Sequence, residues 1–147
     1  MGRIRKFATL PPAERRLLLH ATAWLAFVRL GLWLVPVRLL RRLAGRLAPR
    51  RAARRSAVRP PKERIVWAVS TASRVVPRAT CLTQALATQA LLDRYGYTTQ
   101  LRIGVAKSDT GALEAHAWVE CDGQILVGNL RTIDRFVPLP PLSGRAP

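Results

Sequence analysis

Three residues in this chain have the types and order needed for nucleophilic acyl chemistry: Cys81, His116 and Asn129. Cys81 stands at the head of a predicted helix, where unpaired backbone N–H groups and the positive end of the helix dipole favour the thiolate. His116 lies within a predicted strand, as a base for the thiol proton. Asn129 closes the next strand, as an amide that orients the imidazole. A thiolate so placed attacks a carbonyl and holds the acyl group as a thioester.

The elements that must position these groups are legible in the residue pattern. Thr80 caps a helix whose first residue is Cys81, and Gly96 supplies its stop after Arg94-Tyr95. Leu82, Ala85, Leu86 and Leu92 give the helix a core face at helical spacing, with Gln89 the one polar break. The period then changes. Leu101, Ile103 and Val105 alternate with Gln100, Arg102 and Gly104 as a strand. Ser108 to Gly111 turns the chain into a strand from Leu113 to Cys121. Asp122-Gly123 is a two-residue hairpin signal, and a third strand runs from Gln124 to Asn129.

That hairpin register sets His116 opposite Asn129, and directly opposed residues lie about 5 Å apart. Asp122 is about 20 Å from His116 along the strand, so it is a turn residue and not the orienting group. A bulge would bring position 128 opposite instead, but Gly128 has no side chain to offer. Cys121 is in phase with Ala117 and Val119, on the face opposite His116. It reads as an inert core thiol.

The front of the chain differs in composition. Residues 1–65 hold 17 Lys/Arg against two acids, whereas residues 66–147 hold 8 Lys/Arg against six acids. The net charge of +17 therefore sits mainly in the first part. It points to a polyanion, an anionic membrane surface or an acidic peptide partner. No nucleic-acid reading motif accompanies it, and nucleic acid is not the expected partner.

Met1 to Lys6 is basic but lacks the apolar stretch and cleavage site of a signal peptide. Thr9 to Glu14 reads as a helix start capped by Thr9, with proline in the first turn. The apolar run Leu17 to Leu40 carries Arg29 near its middle, at an insertion cost of about 3 kcal/mol, and is interrupted by Pro36. It reads as two buried or interfacial helices, with peripheral membrane contact through the arginines that follow. Arg50 to Lys62 is a linker by composition, and Glu63 to Val76 a further helix ended by Pro77. The expected organisation is a basic, apolar helical segment and linker over residues 1–62, followed by a core over 63–147. Two cysteines without repeated spacing exclude a disulfide scaffold and a zinc finger, and imply a reducing, cytoplasmic setting.

A single Cys with a His and an Asn further along the chain is the composition of a papain-like triad. More specifically, Ala79-Thr80-Cys81-Leu82, Leu91-Leu92-Asp93-Arg94-Tyr95-Gly96 and Ala115-His116-Ala117-Trp118-Val119-Glu120 resemble the transglutaminase-like core of bacterial lasso-peptide leader peptidases. Asp134-Arg135-Phe136-Val137-Pro138-Leu139 resembles that family's tail, and Leu10-Pro11 with Glu14-Arg15 its opening. The resemblance implies an α+β papain/transglutaminase-like fold, with the Cys helix packed on a small antiparallel sheet. It implies a cysteine protease that removes the leader from a ribosomally made precursor peptide. A separate leader-recognition protein then presents the leader, and a separate ATP-dependent cyclase joins the freed amine to a carboxylate. The third triad member in that family is commonly Asp; Asn129 stands in its place.

The same residues allow two other readings. Acyl transfer to an amine differs from hydrolysis only in which nucleophile meets the thioester. A non-catalytic basic adaptor at a membrane or partner protein would leave Cys81 and His116 structural. No phosphate loop or metal-ligand spacing is present, so no cofactor or metal is expected.

Overall fold

The computed structural model describes residues 9–47, 59–128, 131 and 133–140. The first helix, α1, runs over Pro12–Leu34. Pro12 occupies its first turn, where the missing N–H costs nothing, and Glu14 meets the positive end of the dipole. The N-cap is Pro11, without a side-chain cap, and not the expected Thr9. Val35 ends the helix in an extended conformation, as the residue before a proline must, and α2 follows over Val37–Leu47. The expected pair of helices broken at Pro36 is what forms.

Helix α3 covers Lys62–Ser73 and α4 covers Cys81–Arg94. Helix α3 ends three residues earlier than expected, at an Arg74 cap ahead of Val76-Pro77. The strands are β1 (Thr99–Lys107), β2 (Leu113–Cys121), β3 (Gln124–Val127) and β4 (Val137–Pro138). They form one antiparallel sheet in the order β3-β2-β1-β4. The architecture is α+β, with the N-terminal helices packed on a helix-and-sheet core.

Helix α4 is the centre of the molecule. Thr83, Ala85, Leu86, Ala87, Thr88, Ala90, Leu91 and Leu92 are all buried. A single apolar stripe would bury far fewer, so α4 is covered on two sides: by α1 and α3 on one, by the sheet on the other. The stripe read from the sequence includes Ala85 but leaves out Thr83, Ala87, Thr88, Ala90 and Leu91, and its Leu82 is only half-buried. Alanine and threonine let the neighbouring elements approach α4 closely. Gln89, the polar break, is only half-buried.

Helix α1 joins this core through Leu17, Ala21, Leu25 and Val28, at i, i+4, i+8 and i+11. They share one cluster with Ile65, Ala68, Val69 and Ala72 of α3 and with Ala117, Val119 and Leu101 of the sheet. Arg64 of α3 pairs with Glu14 of α1. Lys62 reaches Asp122 at 3.7 Å, which ties the start of α3 to the β2–β3 turn. Tyr97 donates to the Pro60 carbonyl at 3.0 Å while the Arg59 guanidinium lies over its ring. The linker residues 50–58 lie outside the described residues.

Leu25, with none of its surface exposed, tests how far α1 belongs to the core. Leu25→Ala is expected to lower the free energy of urea unfolding by about 2–5 kcal/mol. Leu30→Ala, on the exposed side of the same helix, is expected to change it by no more than about 0.5 kcal/mol.

Candidate active site

Thr80 caps α4 as expected: its side chain accepts from the Thr83 N–H at 3.4 Å. Cys81 is the first helical residue, with a free, half-buried thiol. By helix geometry the Cys81 and Leu82 N–H groups have no intrahelical acceptor, so they remain as donors at this end. The Gln84 amide donates to the Ala79 carbonyl at 2.9 Å, pinning the approach to the helix. Arg78, three residues before Cys81, holds a left-handed φ of 56°. Such a conformation costs a non-glycine residue about 1–3 kcal/mol and persists only where the surroundings impose it.

His116 sits within β2, directly opposite Gly104 of β1. Strand alternation puts His116, Trp118 and Glu120 on one face, and Ala117, Val119 and Cys121 on the other. The second face packs on α4. The first carries a smaller cluster of Trp118, Phe136 and Ala106, into which the His116 ring fits. Its centroid is 5.5 Å from that of Phe136 and 6.4 Å from that of Trp118. Gly104 makes this layer possible, since a Cβ there would lie 2.9 Å from the Trp118 ring and 3.0 Å from the Phe136 Cβ. Trp118 donates its indole N–H to Glu120 at 2.8 Å, and Glu120 in turn meets Arg102 at 3.3 Å.

The register differs from expectation. Cys121 pairs with Gln124 and Glu120 with Ile125, as a tight Asp122-Gly123 turn requires. Both turn residues have positive φ, 51° and 75°, the signature of a type I′ hairpin. A bulge between Val119 and Glu120 then pairs Val119 with Val127, so the ladder slips by one residue and ends there. The expected pairing of His116 with position 129 falls beyond the last ladder pair among the described residues. Asn129 itself lies outside the described residues.

What meets His116 is a backbone group. Its Nε2 lies 2.7 Å from the Gly128 carbonyl oxygen. A carbonyl only accepts, so the ring must donate from Nε2, which leaves Nδ1 as the basic nitrogen of the neutral imidazole. Gly128 achieves this with φ 82°, so close to β2 that a Cβ would lie 2.6 Å from the Ala117 carbonyl oxygen. By sequence alone Gly128 has no side chain to offer, and its backbone carbonyl takes the role instead. The usable signal was a glycine at a strand end, one residue before the candidate amide.

No hydrogen bond joins Cys81 to His116 among the described residues. The thiol stands at the end of α4, which packs on one face of the sheet, and the imidazole belongs to the other face. The second thiol behaves as its strand position implied. Cys121 is 2% exposed and donates to Asp122 at 3.4 Å. Burial, followed by that hydrogen bond, pushes its pKa above the ordinary thiol value.

Two outcomes follow. Iodoacetamide on the native protein is expected to label Cys81 and to reach Cys121 only after denaturation, as read by peptide mass mapping. Gly128→Ala is expected to destabilise the fold by about 1–3 kcal/mol. The same variant is expected to remove the Nε2–H preference of the His116 ring, as read from its nitrogen chemical shifts.

The "Transglutaminase-like superfamily" profile matches residues 18–140. No match was found among curated proteins or among solved structures. The matched span takes in most of α1, the capped Cys helix and the whole sheet, a fold compatible with cysteine-protease or acyltransferase chemistry. The chain belongs to the transglutaminase-like superfamily.

Proposed function

We propose that this protein is a cysteine protease that removes the leader from a ribosomally synthesised lasso-peptide precursor. The observation that carries the mechanism is the 2.7 Å contact between His116 Nε2 and the Gly128 carbonyl. It makes Nδ1 the proton acceptor, and it compensates the positive charge that His116 gains when it takes the Cys81 proton. Family membership and the capped, half-buried Cys81 support the same reading.

In this mechanism the Cys81 thiolate attacks the scissile carbonyl, and the Cys81 backbone N–H helps to hold the oxyanion. The leaving amine takes the proton from His116, and the acyl group remains on sulfur as a thioester. His116 then deprotonates a water molecule, which hydrolyses the thioester and frees the leader carboxylate. Asn129, next to Gly128 in the chain, orients the imidazole with it. Because the thiol and the imidazole stand on different sides of the sheet, the mechanism requires the start of α4 or the His116 segment to move until Sγ and Nδ1 come within hydrogen-bond reach in the substrate complex.

The reading places the protein in the cytoplasm. A separate recognition protein presents the leader there, and an ATP-dependent cyclase consumes the freed amine. Residues 63–147 form the catalytic part, with residues 1–62 as its basic partner segment.

Incubating a candidate precursor with a leader-recognition partner and following its mass tests the reading. The wild type is expected to release a leader-sized fragment, and Cys81→Ala and His116→Ala to slow this by a thousandfold or more, on the order seen for linked catalytic groups. Cleavage that persists in Cys81→Ala sinks the mechanism. A product heavier by an added amine assigns transfer to an amine instead of hydrolysis.

A further inference from the structure

Helix α1 is apolar around most of its circumference, yet packing uses only one side of it. The side opposite the Leu17, Ala21, Leu25 and Val28 stripe carries Leu19, Ala23, Ala26, Leu30, Trp33 and Leu34, which fall within one helical face. Its large members are open to solvent: Leu19 is 58% exposed, Leu30 64%, Trp33 73% and Leu34 80%. This row spans about 22 Å at the helical rise. A continuous exposed apolar surface on that scale marks an interaction site.

Cations flank the row. Arg15 and Arg16 precede it, Arg29 lies with its guanidinium 5.5 Å from the Trp33 ring, and Arg38 and Arg42 are exposed just beyond it on α2. Towards the Trp33 end, Leu30 and Trp33 form a shallow groove with Arg29, Val76, Pro77 and Arg78. The ion pairs among the described residues use Lys62, Arg64, Arg102 and Arg135, so these flanking arginines have no carboxylate partner there. The sequence itself has no acid between Glu14 and Glu63.

We infer that this face of α1 docks the protein on an anionic lipid bilayer, with the helix lying in the interface plane. An apolar row with an exposed tryptophan and uncompensated arginines matches the boundary between acyl chains and negative headgroups. A second copy fits poorly, because a two-fold contact would set these unpaired arginines against themselves. By length and composition α1 is long and apolar enough to cross a membrane. Its buried stripe, however, is part of the core shared with α3 and α4, and crossing would strip that stripe out. The docked face is independent of the protease reading.

Vesicle flotation tests this, with phosphatidylcholine alone and with about a third of the lipid replaced by phosphatidylglycerol. The wild type is expected to bind the anionic vesicles on the order of a hundredfold more tightly, through several arginines near the surface. That binding is expected to fall as salt is added. The double variant Leu30→Ser/Leu34→Ser keeps every charge and is expected to weaken binding by roughly tenfold or more. Both positions are exposed, so its thermal unfolding without lipid should match the wild type, which separates lost docking from lost fold. Absence of binding to anionic vesicles, or undiminished binding by the double variant, would overturn the inference. So would dimerisation, or capture of poly-glutamate, that depends on Leu30 and Leu34 while vesicles go unbound.

Discussion

Burial of α4 on two sides is the constraint from which the rest of the molecule follows. One flank of this helix must be covered by α1 and α3, and the other by β1 and β2. Only small side chains allow both layers to approach, and Ala85, Ala87, Ala90, Thr83 and Thr88 supply them. Burying the larger Leu86, Leu91 and Leu92 contributes about 1.5–3 kcal/mol each. Because the helix is clamped along its length, its first turn is held in place, and with it the Cys81 thiol. The thiol's position is therefore a by-product of core packing, adjusted locally by the Thr80 cap.

The histidine is held by a different device. Past the bulge in the β2–β3 ladder, the Gly128 peptide carbonyl comes against the ring. A carbonyl is fixed by the backbone, has no rotamers to lose, and accepts without ever donating. It therefore dictates one tautomer of His116. Gly104 and Gly128 permit this arrangement by omission. The first leaves space for Trp118 and Phe136 beside the ring, and the second lets the backbone come against β2. The short return through Phe136 and β4 then covers the ring and pairs with β1.

Charge and hydropathy are divided unevenly over the same fold. The sheet and α4 form an almost neutral unit in which Arg102 pairs with Glu120, and the nearby Arg135 pairs with Glu114. The first two helices carry apolar surface and arginine in excess of what the core uses. Packing accounts for one side of α1, where Leu18, Trp24, Phe27 and Leu32 flank the buried stripe, and for Leu40, which fills the space over Gly31. The remaining surface follows from no internal requirement of the fold, which is why it reads as a surface made for something outside it.

Local chemistry was enough to place most elements from the sequence. The Pro36 break, the Thr80 cap with Cys81 at the first helical position, the Asp122-Gly123 hairpin and the buried phase of Cys121 each depend on neighbours a few residues away. The α+β class followed from the change of period after Gly96. Three features required the tertiary structure. Burial of α4 on both sides depends on elements remote in sequence, so a single-stripe reading undercounted it. The bulge between Val119 and Glu120 depends on how β3 packs against β2, which alternation alone does not encode. The division of Cys81 and His116 between an α4 terminus and the opposite sheet face depends on how the helix layer sits on the sheet. Residue types and order thus determined which chemistry the chain can carry, and three-dimensional packing decided which atoms meet.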